Sequence, residues 1–254
     1  METAPKAQAV AQKNLGGGNS SAGKRGQLDS GYNGTVPSAE LESFNKKAFE
    51  SIKKDTGYDD AKAREFHSSL KEYLGGDYES FVNGKQPEKV KAIDEGIAKM
   101  PKYDGAVYRG MHLKDSQVEQ FRNLSAGDSI EMKACSSWSS NKAVADRYGE
   151  QGDKGTNTVL FKCDNNKSGA GVQHVSKWGN TEAEVLLPST AKWKVKENNT
   201  MTKYDYLKDH YTNLAETATK PIHRKIAKQS LEDLEANKDA YMNTTVSVIS
   251  LEEE

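Results

Sequence analysis

The hydrophobic pattern of this chain changes period at Gly105, and that change limits which folds are open to it. Upstream, Leu41, Phe44, Ala48 and Ile52 recur at helical spacing from a start at Pro37-Ser38 to a stop at Gly57. A second helix runs from about Asp59 to Leu74, with Ala63, Phe66, Leu70 and Tyr73 on one face and Gly75-Gly76 at its end. A third opens on Pro87, a favoured first helical residue, and carries Val90, Ile93, Ile97 and Met100 to Pro101. Downstream the apolar runs shorten to strand length: Ala106 to Met111, Ser129 to Cys135, Thr158 to Cys163, Lys192 to Lys196 and Thr245 to Leu251. Short helices are expected after Asp115 and over Lys142 to Tyr148, and a helical block from about Met201 to Met242 precedes the last strand. The expected class is therefore α+β, with an N-terminal helical lobe (37–104), a core (105–254) and a helical insert (about 201–242).

Residues 1–36 are rich in Gly, Ser, Ala, Gln and Asn and read as a disordered head or linker. Within it, Gly18 to Arg25 imitates the start of a phosphate-binding loop. Arg25 stands where that motif needs a Ser or Thr for Mg²⁺, and no apolar strand precedes it, so the match is rejected. A net charge of -1 argues against a bulk electrostatic grip on nucleic acid or an anionic membrane. No run is long enough to span a bilayer, and no apolar leader segment is evident. Cys135 and Cys163 fall in expected strands and read as small core residues in a reducing, cytoplasmic compartment. The histidines lack metal-ligand spacing, so no metal is expected.

Three polar elements stand at the ends of expected strands: Arg109 in Tyr108-Arg109-Gly110, then Ser137-Trp138-Ser139, then Glu182-Ala183-Glu184 ahead of Val185-Leu186-Leu187-Pro188. On a continuous strand Glu182 and Glu184 would share one face about 7 Å apart, with Val185 and Leu187 leading the other face into a core. Two like charges so placed cost energy unless a cation, a hydroxyl or a substrate compensates them. An exposed strand edge with two solvated glutamates is the plain alternative for that segment taken alone.

In order and flanking residues, the three elements together resemble the arginine–serine–glutamate class of mono-ADP-ribosyltransferases, the cholera-toxin-like branch. The resemblance spans roughly Gly105 to Lys196. It implies two facing, mainly antiparallel sheets around an NAD cleft, with NAD as co-substrate and no metal. It implies that Arg109 binds the NAD pyrophosphate, that Ser137 holds Glu184 and the nicotinamide ribose, and that Glu184 hydrogen-bonds the ribose 2′-hydroxyl and stabilises an oxocarbenium-like transition state. Ser139 would cap the following helix or assist, and Gly110 would let backbone approach the nicotinamide amide. Glu182, two before the catalytic glutamate, goes with arginine as acceptor in this class, so the expected partner is a target protein bearing an acceptor arginine. Trp178 stands either where relatives place a substrate-recognition aromatic or in a turn. Tyr148 and Phe161 stack on nicotinamide or belong to the core.

One departure concerns the middle of the Ser-x-Ser element, which is usually Thr in this class and is Trp138 here. That aromatic either enters the nicotinamide pocket or is buried behind the strand. Other readings stay open: an NAD glycohydrolase, a nucleic-acid-directed transferase using the same site, or an inactive binding module of the same fold. Free-standing enzymes of the resembled class are commonly bacterial effectors, toxins or phage proteins. This one is expected to act as a monomer in a cytoplasm, that of a host included.

Overall fold

The computed structural model describes residues 10–11, 38–75, 77–132, 134–150, 156–176 and 182–254. The N-terminal lobe comprises α1 (Ser38–Thr56), α2 (Asp60–Gly75), α3 (Tyr78–Val82) and α4 (Pro87–Lys99). The three long helices match the periodic runs of the sequence. The five-residue α3 was not expected; Asp77 fixes its start by accepting a hydrogen bond from Ser80 Oγ at 2.6 Å. Asp59 plays the same part for α2, its Oδ1 accepting from the Lys62 N–H at 2.9 Å.

Beyond the lobe run β2 (Val107–Leu113), α5 (Asp115–Arg122), β3 (Ser129–Glu131), β4 (Ser136–Ser139), α6 (Lys142–Glu150), β5 (Asn157–Cys163), β6 (Ala170–Gly171), β7 (Glu184–Leu187) and β8 (Lys192–Thr202). Helices α7 (Lys203–Thr217), α8 (Pro221–Ala236) and α9 (Lys238–Met242) form the insert, and β9 (Thr245–Glu253) closes the chain. Val10–Ala11, here β1, pairs in parallel with Ile130 and Glu131. The rest of the expected disordered head, including the imitation phosphate-binding loop, lies outside the described residues.

The strands form one ladder in the order β1-β3-β8-β9-β5-β2-β4-β7-β6. Its two parts meet at a single residue pair, Tyr108 with Ser139. On one side of that seam β2 pairs with β5 through seven residues, from Val107↔Cys163 to Leu113↔Asn157. On the other, β4 pairs with β7 from Ser136↔Leu187 to Ser139↔Glu184. The fold is thus α+β, and pairing is antiparallel except for β1–β3 and β5–β9.

One expected strand is shorter than its sequence pattern, and a second follows it. The run from Ser129 to Cys135 ends at Glu131, and Ser136 to Ser139 form a strand of their own. The connecting Met132, Ala134 and Cys135 are nonetheless buried, so the alternation Ile130, Met132, Ala134 continues through the break and hides it. Val185 and Leu187 join Trp138, Phe161 and Trp193 in the core, and Leu186 on the opposite face joins a cluster with Phe66, Tyr73, Ile93 and Ile97 of the lobe. Both faces of β7 are therefore covered, which is why it reads as a continuous hydrophobic run. Asp94 of α4 ties the lobe to the residues after β7, accepting from the Ser189 N–H at 2.8 Å and from its hydroxyl. The two cysteines are free and buried.

Candidate active site

A cleft lies at the seam between the two parts of the sheet and is lined by Arg109, Gly110, Ser137, Ser139, Glu182 and Glu184. Four stretches far apart in sequence contribute to it: α2 and α3 of the helical lobe, β2, β4 with the α6 that follows it, and the Glu182–Glu184 segment.

Arg109 is the cation of the cleft. Its Nη1 donates to the Ser137 carbonyl oxygen at 2.6 Å and its Nη2 to the Tyr78 hydroxyl at 2.8 Å, with the guanidinium 5.9 Å from the Tyr78 ring centroid. The Nε atom is buried and has no hydrogen-bond partner among the described residues. Burial works against the charge of Arg109, but the oxygens of Tyr78 and Tyr73 and the Glu184 carboxylate outweigh it and hold its pKa above the ordinary arginine value. A fixed guanidinium lining a cleft suits an anion that presents oxygens to it.

The Ser-x-Ser strand divides its residues between two environments. Trp138 is 3 % exposed and points into the core, its Nε1 donating to Ser136 Oγ at 2.9 Å and its ring 5.6 Å from Trp193. The aromatic is therefore behind the strand, and strand alternation leaves Ser137 and Ser139 to face the other side. Ser137 Oγ lies 3.4 Å from the Tyr73 hydroxyl. Ser139 sits directly opposite Glu184, donates to the Glu182 carbonyl oxygen at 2.7 Å and accepts from the Asn141 N–H at 3.0 Å. Asn141 caps α6, its Oδ1 accepting from Ala143 N–H at 3.0 Å.

The two glutamates reach the cleft by a route that differs from the expected one. Only Glu184 belongs to the strand; Glu182 precedes it, and Ala183 between them has φ 45°, a left-handed conformation unusual for a residue with a Cβ. The alternating-strand argument thus fails for Glu182, because the chain turns at Ala183. Ser140 holds that turn: its N–H and hydroxyl both donate to the Ala183 carbonyl oxygen, at 3.0 and 3.2 Å. Glu184 is 5 % exposed. The Glu182 carboxylate accepts a short hydrogen bond from the Tyr148 hydroxyl of α6.

Gly110 has a second requirement beyond the cleft it lines. A Cβ there would lie 1.7 Å from the Ala145 carbonyl oxygen and 2.8 Å from Gly149 N, so α6 crosses β2 at a distance only glycine allows. Phe161 is buried against Trp138 and Phe121 and belongs to the core. Trp178 lies outside the described residues. Among the described residues no group of His, Cys, Asp and Glu could hold a metal, and no helix is long and apolar enough to cross a membrane.

The sequence reading missed the contribution of the lobe. Tyr73, Leu74 and Tyr78 wall the cleft. Tyr73 donates to the Cys135 carbonyl oxygen at 3.0 Å, packs edge-on against Tyr78, and has its phenol pushed well up by burial. The only available signal was a tyrosine at the end of an apolar helical stripe.

No protein-family model matches the chain, and no curated protein matches it in sequence. Solved structures do match. The type III effector XopAI from Xanthomonas axonopodis pv. citri is 13 % identical over 90 % of this chain and 82 % of that one, with a TM-score of 0.50. The Vis toxin, an ADP-ribosyltransferase from Vibrio splendidus, is 18 % identical over 87 % and 88 %, with a TM-score of 0.44. Exoenzyme S from Pseudomonas aeruginosa, in a structure bound to carba-NAD, is 14 % identical over 82 % and 88 %, with a TM-score of 0.44. What these likenesses concern is the α+β fold, which this chain shares with the type III effector XopAI.

Proposed function

We propose that this protein is a mono-ADP-ribosyltransferase that moves ADP-ribose from NAD to an arginine side chain of a target protein and releases nicotinamide. The observation that carries the reading is the convergence of Arg109, Ser137, Glu182 and Glu184, separated by up to 75 residues of sequence, on one cleft (184 − 109 = 75). Arg109, a fixed cation that lines the cleft, would take the pyrophosphate. Glu184, buried beside that arginine, would accept from the ribose 2′-hydroxyl and stabilise the positive charge that grows on the sugar as its bond to nicotinamide breaks. The electron pair of that bond leaves with nicotinamide. A guanidino nitrogen of the acceptor then bonds to the ribose C1′, and its proton passes to Glu182. An arginine is a poor nucleophile until a carboxylate orients it and accepts that proton, which is the role the second glutamate supplies.

Ser139 and Ser140 serve the reaction through the backbone, by fixing Glu182 and Ala183 against β4. Toxin or effector action in a host cytoplasm is the setting that fits this chemistry. Nicotinamide release from NAD in the presence of agmatine tests the proposal: the intact chain should release it and Glu184→Ala should not, while both remain folded. Equal release by the two would remove Glu184 from the mechanism.

A further inference from the structure

The two ends of Glu182 are held from different elements. Its carbonyl oxygen accepts from Ser139 of β4 at 2.7 Å, while its carboxylate accepts from Tyr148 of α6. Where the carboxylate stands thus depends on where α6 stands. Residues four apart share a face of a helix, so α6 divides into three faces. Val144 and Tyr148 line the cleft, and Ala145 and Gly149 lie against Gly110 of β2 and Thr158 of β5. Lys142 and Asp146 meet the insert, across the helix from Tyr148.

That third face carries an ion pair whose acid is buried. Asp146 is 6 % exposed, and both of its oxygens accept from Lys142 Nζ at 2.8 Å. The Tyr206 hydroxyl of α7 donates to Asp146 Oδ1 and accepts from Lys142 Nζ, each at 2.9 Å. A lysine one turn before its acid is the weaker order for a pair within a helix, and a buried carboxylate is costly unless it is paired and hydrogen-bonded. Tyr206 supplies the bond that α6 lacks on its own. It does so from a fixed place, the first turn of α7 (Lys203–Thr217). Thr202 caps that turn by accepting from the Asp205 N–H at 3.0 Å, and the Lys203 N–H donates to the Thr244 carbonyl oxygen, just before β9, at 2.8 Å.

We infer that Tyr206 is a positioning residue for the acceptor step: it holds the Lys142–Asp146 face of α6, and α6 in turn presents Tyr148 to Glu182. The inference rests on the transferase reading above. It gives the helical insert a part in the reaction although none of its residues lines the cleft. Glu184 is placed by another route, the pairing of β7 with β4, so nicotinamide departure does not depend on Tyr206.

The test is a double-mutant cycle on the full chain. Tyr206→Phe, which keeps the ring and removes the hydroxyl, is combined with Tyr148→Phe, and each variant is scored per folded molecule for transfer to agmatine and for hydrolysis of NAD. Positioning predicts that Tyr206→Phe lowers kcat for transfer about three- to tenfold and leaves hydrolysis within about twofold. Added to Tyr148→Phe it should cost little more, because the link it acts through is already cut. Asp146→Asn, which keeps the size of the side chain and removes its charge, should reproduce the pattern of Tyr206→Phe. Losses that multiply in the double variant would overturn the inference, as would equal loss of transfer and hydrolysis, the mark of a contact that only stabilises the fold. Unchanged transfer in Tyr206→Phe and Asp146→Asn would overturn it too. If the intact chain neither transfers to agmatine nor releases nicotinamide, the transferase reading itself fails, a result distinct from all of these.

Discussion

Arg109 and Tyr78 are joined by a hydrogen bond of 2.8 Å that links the sheet to the helical lobe across the cleft. It makes the lobe part of the site, because the guanidinium is aimed by a residue 31 positions earlier in the chain. Tyr78→Phe keeps the ring beside the arginine and removes only the hydroxyl. Hydrogen bonds to charged groups contribute about 1.5–3 kcal/mol. NAD affinity, read by equilibrium titration, is expected to fall about tenfold. The melting temperature should change little, since Tyr78 is only half-buried.

Gly110→Ala is expected to be among the most damaging single methyl additions to this chain. The new Cβ would meet backbone, the Ala145 carbonyl oxygen at 1.7 Å, and backbone within a helix cannot step aside as a flexible side chain can. Overpacking costs typically 1–3 kcal/mol and more where nothing can yield, so urea unfolding should show a loss of about 3 kcal/mol or no folded protein. A fully stable Gly110→Ala would mean that α6 does not cross β2 as closely as described.

Trp138→Thr restores the residue usual in the resembled class and should still destabilise. The indole fills the core between Trp193 and Phe161, and removing a buried large aromatic costs about 3–5 kcal/mol. Chemical denaturation measures this. NAD turnover per folded molecule should survive, because Ser137 and Ser139 face away from the indole. Loss of turnover without loss of stability would place Trp138 in the cleft instead.

Tyr148→Phe separates the two glutamates by function. The Tyr148 hydroxyl donates to Glu182, so its removal should impair the step proposed for Glu182. Transfer to agmatine is expected to fall about tenfold, from the loss of a hydrogen bond to a charged group, while slow hydrolysis of NAD continues. Equal loss of both would show that Tyr148 acts on the sugar rather than on the acceptor.

Much of this architecture was legible because burial leaves a period. The stripes Ala63-Phe66-Leu70-Tyr73 and Val90-Ile93-Ile97 mark α2 and α4, and Val185 and Leu187 do enter the core as strand alternation requires. The break after Glu131 was not legible, since Met132, Ala134 and Cys135 stay buried through it and composition does not change. Nor was the turn at Ala183, because a left-handed φ is announced by glycine or asparagine and alanine gives no such signal. Parallel pairing of β5 with β9 leaves no local trace, as it depends on residues almost 90 positions apart (246 − 158 = 88). Tyr73 illustrates the general limit. Periodicity places it in a helix core, which is correct, but says nothing of a hydroxyl that reaches Cys135 and lies 3.4 Å from Ser137.

The central claim is that Glu184 drives departure of nicotinamide and Glu182 prepares an arginine to receive the sugar. The most direct measurement incubates NAD labelled in its ADP-ribose portion with agmatine and the intact chain, Glu182→Gln or Glu184→Ala, and follows label on agmatine and free nicotinamide together. The account predicts transfer by the intact chain, nicotinamide release without transfer by Glu182→Gln, and neither by Glu184→Ala. Transfer by Glu182→Gln at the rate of the intact chain would contradict it.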